Sequence, residues 1–515
     1  MIIDESKPLQ TQVNEQQSVP TGWRLESQAA ALERFLERHQ IWILALWSVA
    51  YFAGTMLRAK DKPFWYDEIL TVLEARQPTL PAALRALGDA DWMPPANHLT
   101  FYFAHKLWGA GEMGFRIPVI IAYWVFCLGL FFFARRRVSF FFAFTAMLLP
   151  YASAFQSYSY EARSYAFVLA FCGIALVSWQ AAAEGEWRPW SLVGLAIGIA
   201  GAIAFHYWAV LIYLPLGAAE AWRSIQRRRV DWPIWGAFVA SGAPLVAFLP
   251  IIRHGLNSWL PYAAMQAGPW SYGEFYATEF RVYFAFAIPV ALLLAAWFVL
   301  GGRKAPPAGA RQAVIPEHEW VAAAILLLTP VVAVTIALVL PPHGFTPRYA
   351  APAALGYALL GAFLAARLAG RRSAIGLACA VAALAPFVFL MTNPHRYQTA
   401  FQPPRDFNQQ LQHDVVVVEE FVPYLQFWYY APESLKPRVV FVVGRNPEVP
   451  TSALSEFLKL GIPVIQYADF VLPGREFLVY PSRKDRLEKQ ILRSGGTVET
   501  VASSRHRVLR VRIAR

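Results

Sequence analysis

The chain has 515 residues, of which 57% are hydrophobic, 15% aromatic and only 16% charged, and its mean hydropathy is +0.36. In soluble proteins about a quarter of the residues are charged, so this composition excludes an ordinary soluble enzyme and predicts a membrane protein. The net charge of +12 does not indicate nucleic-acid binding, because the basic residues form no single patch and fall in short clusters between apolar runs.

The N-terminal segment precedes the first apolar run. Residues 1–25 are polar and contain acids, without the basic start and apolar centre of a cleavable signal. Residues 26–39 have helical periodicity with mixed charge, which predicts a short helix on the membrane surface. We therefore assign residues 1–39 to a cytoplasmic segment that ends in an interfacial helix.

Apolar runs of about 17–25 residues are long enough to cross a bilayer. Eleven runs qualify, and two of them share one stretch that requires a tight turn near residues 201–208: 40–58, 116–134, 138–156, 162–181, 190–204, 206–222, 233–252, 281–300, 320–340, 350–368 and 373–391. The sequence thus predicts an α-helical polytopic membrane protein with about 11 transmembrane helices.

Basic residues between the spans indicate the orientation. With the N-terminus inside, the inner loops hold 13 Lys and Arg residues, whereas the short outer loops hold 2. Cytoplasmic loops are enriched in Lys and Arg, so this count favours a cytoplasmic N-terminus and, with eleven spans, a C-terminus outside. A bacterial plasma membrane with an active outer face is the predicted location.

Two large segments fall outside under this topology. The first, residues 59–115, contains amphipathic stretches at 69–75 and 81–88 that fit helices lying along the membrane surface. The second, residues 392–515, changes to short β-rich runs with helical stretches between them, such as residues 451–461. We predict a small extracytoplasmic α/β domain there, with runs at 414–420, 438–444, 462–468, 476–481 and 506–513 as its strands.

The polar residues near the membrane gather on the predicted outer face. Asp67 and Glu68 lie in the sequence PFWYDEIL (63–70), and Arg163 lies in SYEARSY (159–165). His206 lies in FHYW (205–208), and Arg348 lies in HGFTPRY (343–349). Charged groups at bilayer depth cost about 2.5–3.5 kcal/mol each, so a functional role is the default interpretation.

Each residue alone also has a structural explanation. Asp67 is a suitable cap for a helix that begins at Glu68. Arg163 at a helix end reaches the interface with Glu161 as a surface partner, and His206 alone is best explained as an interfacial histidine. Arg348 is a suitable interface anchor at a helix end. Their clustering on one face weakens these explanations together.

A carboxylate and several arginines at the outer face match the needs of one reaction. In that reaction, a sugar carried on a polyprenyl phosphate is transferred and the phosphate is displaced. A base activates the acceptor hydroxyl, and guanidinium groups bind the leaving phosphate through paired hydrogen bonds. A glycoside hydrolase instead needs two facing carboxylates. We expect Asp67 to be the base, and Arg163 and Arg348 to bind the phosphate.

Several motifs, taken in order, resemble the GT-C superfamily of integral-membrane glycosyltransferases, in the branch of protein O-mannosyltransferases and the lipid A aminoarabinose transferase. The resemblance covers residues 40–391. The matching pieces are WYDE (65–68), PPANHLTFYFAHKLWG (94–109), GEMGFRIP (111–118), SYEARSYAF (159–167), FHYWAVLIYLP (205–215) and PRYAAPA (347–353).

This resemblance implies an inverting transfer of a hexosyl or pentosyl group from undecaprenyl or a similar phosphate, outside the cytoplasm. Asp67 matches the acidic residue that serves as base, and Glu68 matches its neighbour in the catalytic loop. Arg163, Arg348 and Tyr349 lie where groups near the donor phosphate are expected. The remaining candidate site residues in the motifs are Glu161, Tyr160, His206, Tyr207, His98 and Arg116.

The same motifs also predict the binding partners and leave an alternative function open. The expected partners are the lipid-linked donor, membrane lipids and an acceptor that is a lipid, a glycan or a protein. No cofactor is expected, and a divalent metal is not favoured, although Asp89 and Asp91 approach an Asp-X-Asp motif. A transporter or flippase of lipid-linked sugars, or a ligase that joins them, remains the alternative function.

Overall fold

The computed structural model describes residues 21–90, 93–258, 267–281, 314–340, 344–370, 372–393 and 407–443, and shorter C-terminal segments at 458, 460–466, 470, 475–480, 486–501 and 508–513. Nearly all of the predicted span 281–300 lies outside these residues. Most of the predicted helix 451–461 lies outside them too.

Helices make up the membrane part of the described chain. In order they are α1 Thr21–Arg38, α2 Gln40–Lys60, α3 Tyr66–Ala75, α4 Leu80–Ala90, α5 Pro95–Trp108, α6 Glu112–Arg135, α7 Phe140–Leu148, α8 Tyr165–Glu184, α9 Arg188–Phe205, α10 Tyr213–Arg227, α11 Trp232–Ala240, α12 Ala243–Ala247, α13 Leu249–Ser258, α14 Ser271–Glu279, α15 Glu317–Val339, α16 Ala353–Ala369 and α17 Ser373–Thr392. Short 3-10 helices lie at Leu149–Ala152, Ala154–Ser159, Tyr207–Ile212 and Pro347–Ala350.

Six helices in the described part are long and apolar enough to cross a membrane, namely α2, α6, α8, α9, α15 and α17. Shorter apolar helices cover Phe140–Ala152, Trp232–Ala247 and Ala353–Ala369. The polytopic helical fold predicted from the apolar runs is therefore confirmed.

Three predicted spans are interrupted rather than continuous. The run 138–156 is α7 followed by two 3-10 helices, and the run 206–222 begins with a 3-10 helix before α10. The run 233–252 is divided among α11, α12 and α13, each with a proline in its first turn. Proline lacks a backbone N–H and is tolerated in the first helical turn, so it favours a new helix start over a continuous span.

Small residues bring the central helices close together. A Cβ atom at Gly129 of α6 would lie 3.3 Å from Cα of Gly173 on α8. A Cβ atom at Gly198 of α9 would lie 2.6 Å from the backbone nitrogen of Ala175, also on α8. Close backbone approach at small residues is typical of helix packing in membranes, where dispersion contacts drive association.

Acidic side chains of α1 satisfy the N-terminal amides of two other helices. Glu26 accepts hydrogen bonds from the backbone N–H groups of Ser373 and Ala374, at 2.6 and 3.1 Å, where α17 begins. Glu33 accepts from the Ser139 hydroxyl and from the Phe141 N–H at the start of α7. These first-turn amides have no partner within their own helices, so the carboxylates stabilise both helix starts.

The C-terminal region forms one sheet with flanking helices. Its helices are α18 Phe407–His413, α19 Phe421–Tyr430 and α20 Arg486–Arg493, and its strands are β1 Val416–Val418, β2 Val439–Val443, β3 Val464–Gln466, β4 Glu476–Tyr480, β5 Thr497–Val501 and β6 Val508–Arg512. The strand order is β3-β2-β1-β4-β6-β5. The first four strands pair in parallel, and the β4–β6 and β5–β6 pairs are antiparallel. The predicted α/β domain is therefore present, and α19 packs against α3 of the membrane part.

A buried ionic contact joins three helices at the end of the membrane part opposite α3. Arg137, just after α6, donates two hydrogen bonds to Oε1 of Glu319 on α15, at 2.8 and 2.6 Å. Gln180 of α8 donates a third, at 3.1 Å, to the same oxygen. Glu319 has no exposed surface, so its charge depends on these donors for compensation.

We expect Arg137→Met to lower the free energy of unfolding by about 3–5 kcal/mol, because it leaves the Glu319 carboxylate buried without a cation. Arg136→Met is the matched control, since Arg136 is partly exposed and pairs with Glu184 and Glu186 at the surface. That loss should stay within about 1 kcal/mol. Denaturant unfolding of both variants in the same detergent measures the difference, and equal losses would contradict the role given to Glu319.

Candidate active site

Five residues separate the end of α2 from the start of α3, and the first turn of α3 carries both Asp67 and Glu68. Acidic residues are favourable in the first turn of a helix because the unpaired N–H groups there carry partial positive charge. Successive helical positions point about 100° apart, so the two carboxylates reach different neighbours. The structure accordingly places them in two separate sets of contacts.

Asp67 is buried between two guanidinium groups. Its Oδ2 accepts a hydrogen bond of 2.7 Å from Arg348 and lies 3.8 Å from the nearest nitrogen of Arg163. Arg163 also donates to the backbone oxygen of Asp67, at 3.1 Å, and to the hydroxyl of Thr71, at 3.0 Å. The structure therefore brings together the three residues that the motifs singled out, although 281 positions separate Asp67 from Arg348.

A cavity of about 230 Å³ opens beside this group, with one arginine, one carboxylate and three aromatic rings in its wall: Trp65, Tyr158, Glu161, Tyr165 and Arg348. The Arg348 guanidinium lies 5.4 Å from the centre of the Trp65 ring and 5.9 Å from that of Tyr165. Its Nε is buried without a hydrogen-bond partner among the described residues. Aromatic walls suit the flat face of a sugar, and an unused guanidinium donor suits an anion.

Aromatic rings pack beside Tyr165, the residue whose ring contacts the Arg348 guanidinium. The His206 ring centre lies 5.5 Å from that of Tyr165 and 5.2 Å from that of Tyr349, and Tyr349 stacks on Trp208 at 5.6 Å. His206 is extended between α9 and the 3-10 helix that begins at Tyr207, and its Nδ1 accepts from the Trp208 N–H. The predicted candidate His206 thus lies beside Tyr165 of the cavity wall, Tyr349 lies beside His206, and Tyr207 follows His206 in the chain.

Glu68 lies on the other side of α3 and has no exposed surface. Arg116 of α6 donates to both of its oxygens, at 3.1 and 2.9 Å, and the N–H groups of Ala162 and Trp65 donate at 2.7 and 3.2 Å. Burial raises the pKa of Glu68, but the charges of Arg116 and Lys62 outweigh it and hold the pKa below its usual value. The contacts of Glu68 therefore hold backbone and neighbouring side chains in place.

A second basic group lies beyond Glu68. Lys62 donates to Glu161 at 3.0 Å, and burial lowers its pKa less than the nearby carboxylates raise it. Arg58 donates to the amide oxygen of Gln156, at 2.6 Å, and to the Tyr160 hydroxyl, at 3.2 Å. Sequence reasoning missed Arg58 and Lys62. Under the orientation predicted from the sequence, these basic residues lie at the outer end of the first span, against the usual inside bias, and that is the signal that points to them.

Glu279, at the end of α14, is another residue that sequence reasoning missed. It is buried, and burial together with the neighbouring Glu161 raises the pKa of its carboxyl group to about 7. The predicted candidate His98 lies on α5, and its Nε2 is 2.6 Å from Oε2 of Glu74, near the end of α3. His98 thus joins α5 to α3 two turns away from Asp67.

Metal ligands were the remaining question from the sequence. In the described ranges, no group of three or more His, Cys, Asp or Glu residues is placed to hold a metal ion. Asp89 lies near the end of α4, and Asp91 falls outside the described residues. The expectation that no metal is needed stays a prediction.

No protein-family model and no curated protein matches the chain at a significant level. Solved structures do match. They include the crystal structure of ArnT from Cupriavidus metallidurans in the apo state, with a TM-score of 0.57 and 13% sequence identity. The structure of the same protein bound to undecaprenyl phosphate matches with a TM-score of 0.55 and 12% identity.

Each of these matches covers 92% of this chain and 98% of the ArnT chain. The likeness therefore includes the C-terminal domain as well as the membrane helices. At such low sequence identity, the likeness shows the fold alone. The chain has the same fold as ArnT, in agreement with the fold that its motifs predict.

Proposed function

We propose that the protein transfers a sugar from a polyprenyl-phosphate donor to an acceptor hydroxyl, with inversion at the anomeric carbon and with Asp67 as the base. The observation that carries this proposal is the buried Asp67 carboxylate, bound by Arg348 at the wall of the cavity. The ArnT structure that is bound to undecaprenyl phosphate supports a polyprenyl-phosphate donor for this fold.

The proposed reaction is one displacement. The acceptor oxygen attacks the anomeric carbon from the face opposite the phosphate, and its proton passes to Asp67. The bond between the anomeric carbon and the phosphate oxygen breaks, and polyprenyl phosphate leaves with both electrons of that bond. A general base contributes typically 10²–10⁴-fold to the rate of such a step, and cations stabilise the leaving anion.

The two arginines contact the proposed base and are also available to the donor phosphate. Arg348 holds the Asp67 carboxylate and also presents its buried Nε, so a donor phosphate can bind the same guanidinium group. Arg163 fixes the backbone of Asp67 and the hydroxyl of Thr71, which orients α3 relative to the phosphate. Guanidinium groups bind phosphate through paired hydrogen bonds, which supports a leaving group bound beside the base.

The proposed orientation places the N-terminus in the cytoplasm, and the cavity and C-terminal domain outside the inner membrane of a bacterium. The bias of basic residues toward the inner loops supports it. The donor then presents its sugar at the outer interface while its prenyl chain stays in the bilayer. The acceptor is a lipid, a glycan or a protein of the envelope.

Glu68, which the motif places beside the base, has a positioning role in this proposal rather than a catalytic one. Its oxygens accept four hydrogen bonds, from Arg116 and from two backbone amides. A carboxylate so occupied is a poor proton acceptor from a substrate, because each bond stabilises the charged form. Asp67 keeps 7% of its surface exposed and contacts Arg348, which lines the cavity, whereas Glu68 has no exposed surface.

We expect Asp67→Asn to lower the release of polyprenyl phosphate by about 10²–10⁴-fold, because the asparagine amide cannot take the proton from the hydroxyl of the acceptor substrate. The measurement uses a panel of sugar-loaded polyprenyl phosphates with cell-envelope extract as the acceptor. Asp61→Asn is the matched control, since Asp61 is an exposed residue after α2 and should leave release unchanged.

Donor binding by Asp67→Asn shows that the variant is folded. Unchanged release in such a variant would remove Asp67 as the base. Movement of the donor across the bilayer by wild-type protein, without cleavage of the sugar–phosphate bond, would replace the transferase with a transporter.

We expect Arg348→Lys to weaken donor binding by about tenfold or more, because a hydrogen bond to a charged group contributes roughly 1.5–3 kcal/mol and lysine cannot supply the paired donors of arginine. Arg253→Lys, at an exposed position of α13, is the control with the same substitution. Binding of radiolabelled polyprenyl phosphate measures both. An equal affinity in the two variants would contradict a role for Arg348 at the phosphate.

We expect Glu68→Gln to lower the free energy of unfolding at pH 7 by about 3–5 kcal/mol, because Arg116 then lies buried without its counter-charge. The pKa of Glu68 is lowered in the folded state from a usual value of 4.5. Its stabilising contribution is therefore complete above that pH and is lost as the pH falls through the folded-state value.

Unfolding curves of wild type and Glu68→Gln between pH 7 and pH 3 check this sign. The difference between the two proteins should narrow as the medium becomes more acid. A difference that widens in acid would mean that Glu68 is protonated in the folded protein, which would contradict the buried ion pair.

A further inference from the structure

The C-terminal domain reaches the segment that leads to Asp67. Phe64, three residues earlier, donates its backbone N–H to the hydroxyl of Tyr430, at 2.6 Å. Its backbone oxygen accepts a hydrogen bond of 3.0 Å from the side-chain amide of Gln426. Both side chains belong to α19, so one helix of the C-terminal domain satisfies both peptide groups of Phe64.

The rest of this segment is held from the membrane side. Arg116 of α6 donates to the backbone oxygens of Lys62 and Pro63, at 2.5 and 3.3 Å. Three successive carbonyl groups before α3 are thus bound by side chains, two by the membrane part and one by the C-terminal domain. A segment without regular structure needs such partners for its buried polar groups, and here they also fix its path.

The two α19 side chains are themselves ordered. Gln426 is 1% exposed, so its amide has no competing water. The Tyr430 hydroxyl donates to Oε1 of Glu112, at 2.9 Å, while it accepts from Phe64. Burial raises the pKa of Tyr430, so the hydroxyl keeps the proton that it donates.

Apolar contacts reinforce the same place. Phe64 is fully buried, and its ring lies 6.0 Å from that of Phe115 on α6 and 6.1 Å from that of Tyr429 on α19. Phe64 therefore lies between the membrane part and the C-terminal domain. A change in the position of α19 would be transmitted to its backbone directly.

We propose that Gln426 and Tyr430 are positioning residues for the reaction, and that the C-terminal domain completes the active site by fixing the backbone of Phe64 and, through it, the place of Asp67. This inference rests on the proposed function of Asp67. It assigns the domain a part in the chemical step that is separate from any binding of the acceptor.

The proposal predicts an effect on turnover rather than on donor affinity. The phosphate-binding arginines stand on other segments, Arg163 before α8 and Arg348 before α16. Loss of the α19 contacts leaves those arginines in place but releases the segment that carries the base. A misplacement of about 1 Å in a reacting group can cost about 100-fold in rate.

The test compares three variants of the full-length protein in lipid nanodiscs. Tyr430→Phe removes the hydroxyl that accepts from Phe64, and Gln426→Met removes the amide that donates to it. Tyr424→Phe is the matched control, because Tyr424 lies on the same helix, is even more buried than Tyr430 and bonds to Pro463 within its own domain. Each variant is measured for kcat, for the Kd of undecaprenyl phosphate and for hydrogen exchange at the Phe64 amide.

Tyr430→Phe and Gln426→Met should each lower kcat at least tenfold, with the Kd of undecaprenyl phosphate within about twofold of wild type. Exchange at the Phe64 amide should be faster in Tyr430→Phe than in Tyr424→Phe. Tyr430→Phe alone keeps the test complete if Gln426→Met folds poorly, since it removes only one hydroxyl group.

Two failures are distinguishable. Equal kcat and equal Phe64 exchange in Tyr430→Phe and Tyr424→Phe would overturn this inference while leaving the proposed function intact. Absence of turnover by the wild-type protein with every donor would overturn the proposed function. A parallel loss of kcat and of donor affinity in Tyr430→Phe would also overturn the inference, because it would indicate a general structural role.

Discussion

The end of the membrane part that carries α3 depends on one buried ion pair, between Arg116 of α6 and Glu68 of α3. Neither residue has exposed surface. Burying two charges is costly unless both are fully hydrogen-bonded, and here Arg116 also donates to the backbone oxygens of Ala59, Lys62 and Pro63. Since all five N–H groups of a guanidinium group lie in one plane, this set of acceptors fixes the end of α2 and the start of α3 together.

The same pair determines where Asp67 can point. Glu68 also accepts from the backbone of Ala162, next to Arg163. With Glu68 directed toward α6, the preceding residue on the helix is directed to the side where Arg163 and Arg348 lie. The Arg116–Glu68 ion pair thus selects which of the two carboxylates meets Arg348, which lines the cavity.

Much of the fold could be predicted from the sequence, because an apolar run of sufficient length has few alternatives to a span. α2, α6 and α15 begin and end within a few residues of the predicted runs. Interruptions such as the one at α12 were not predicted, since apolarity alone does not reveal where a helix restarts. In the C-terminal domain, β5 was missed because its residues are mostly exposed, and α19 was missed because its ten residues are aromatic on nearly every side.

The candidate site could be predicted in part, for a different reason. Asp67, Arg163 and Arg348 stand in motifs whose residue types match a proposed reaction, so they could be named without coordinates. Gln426 could not, because nothing local distinguishes a glutamine that binds a carbonyl group 362 positions away. Residues that act through backbone contacts between domains leave no pattern in their own segment.

The length of α2 gives the site a fixed depth. Its 21 residues extend about 32 Å, close to the roughly 30 Å thickness of a bilayer's hydrocarbon layer, and only five residues separate it from the helix that carries Asp67. The carboxylate therefore has a set coordinate along the membrane normal. An amphiphile whose polar group travels at that level meets it by diffusion in two dimensions. The depth of a molecule's polar group in the bilayer can thus select substrates before any side chain contacts them.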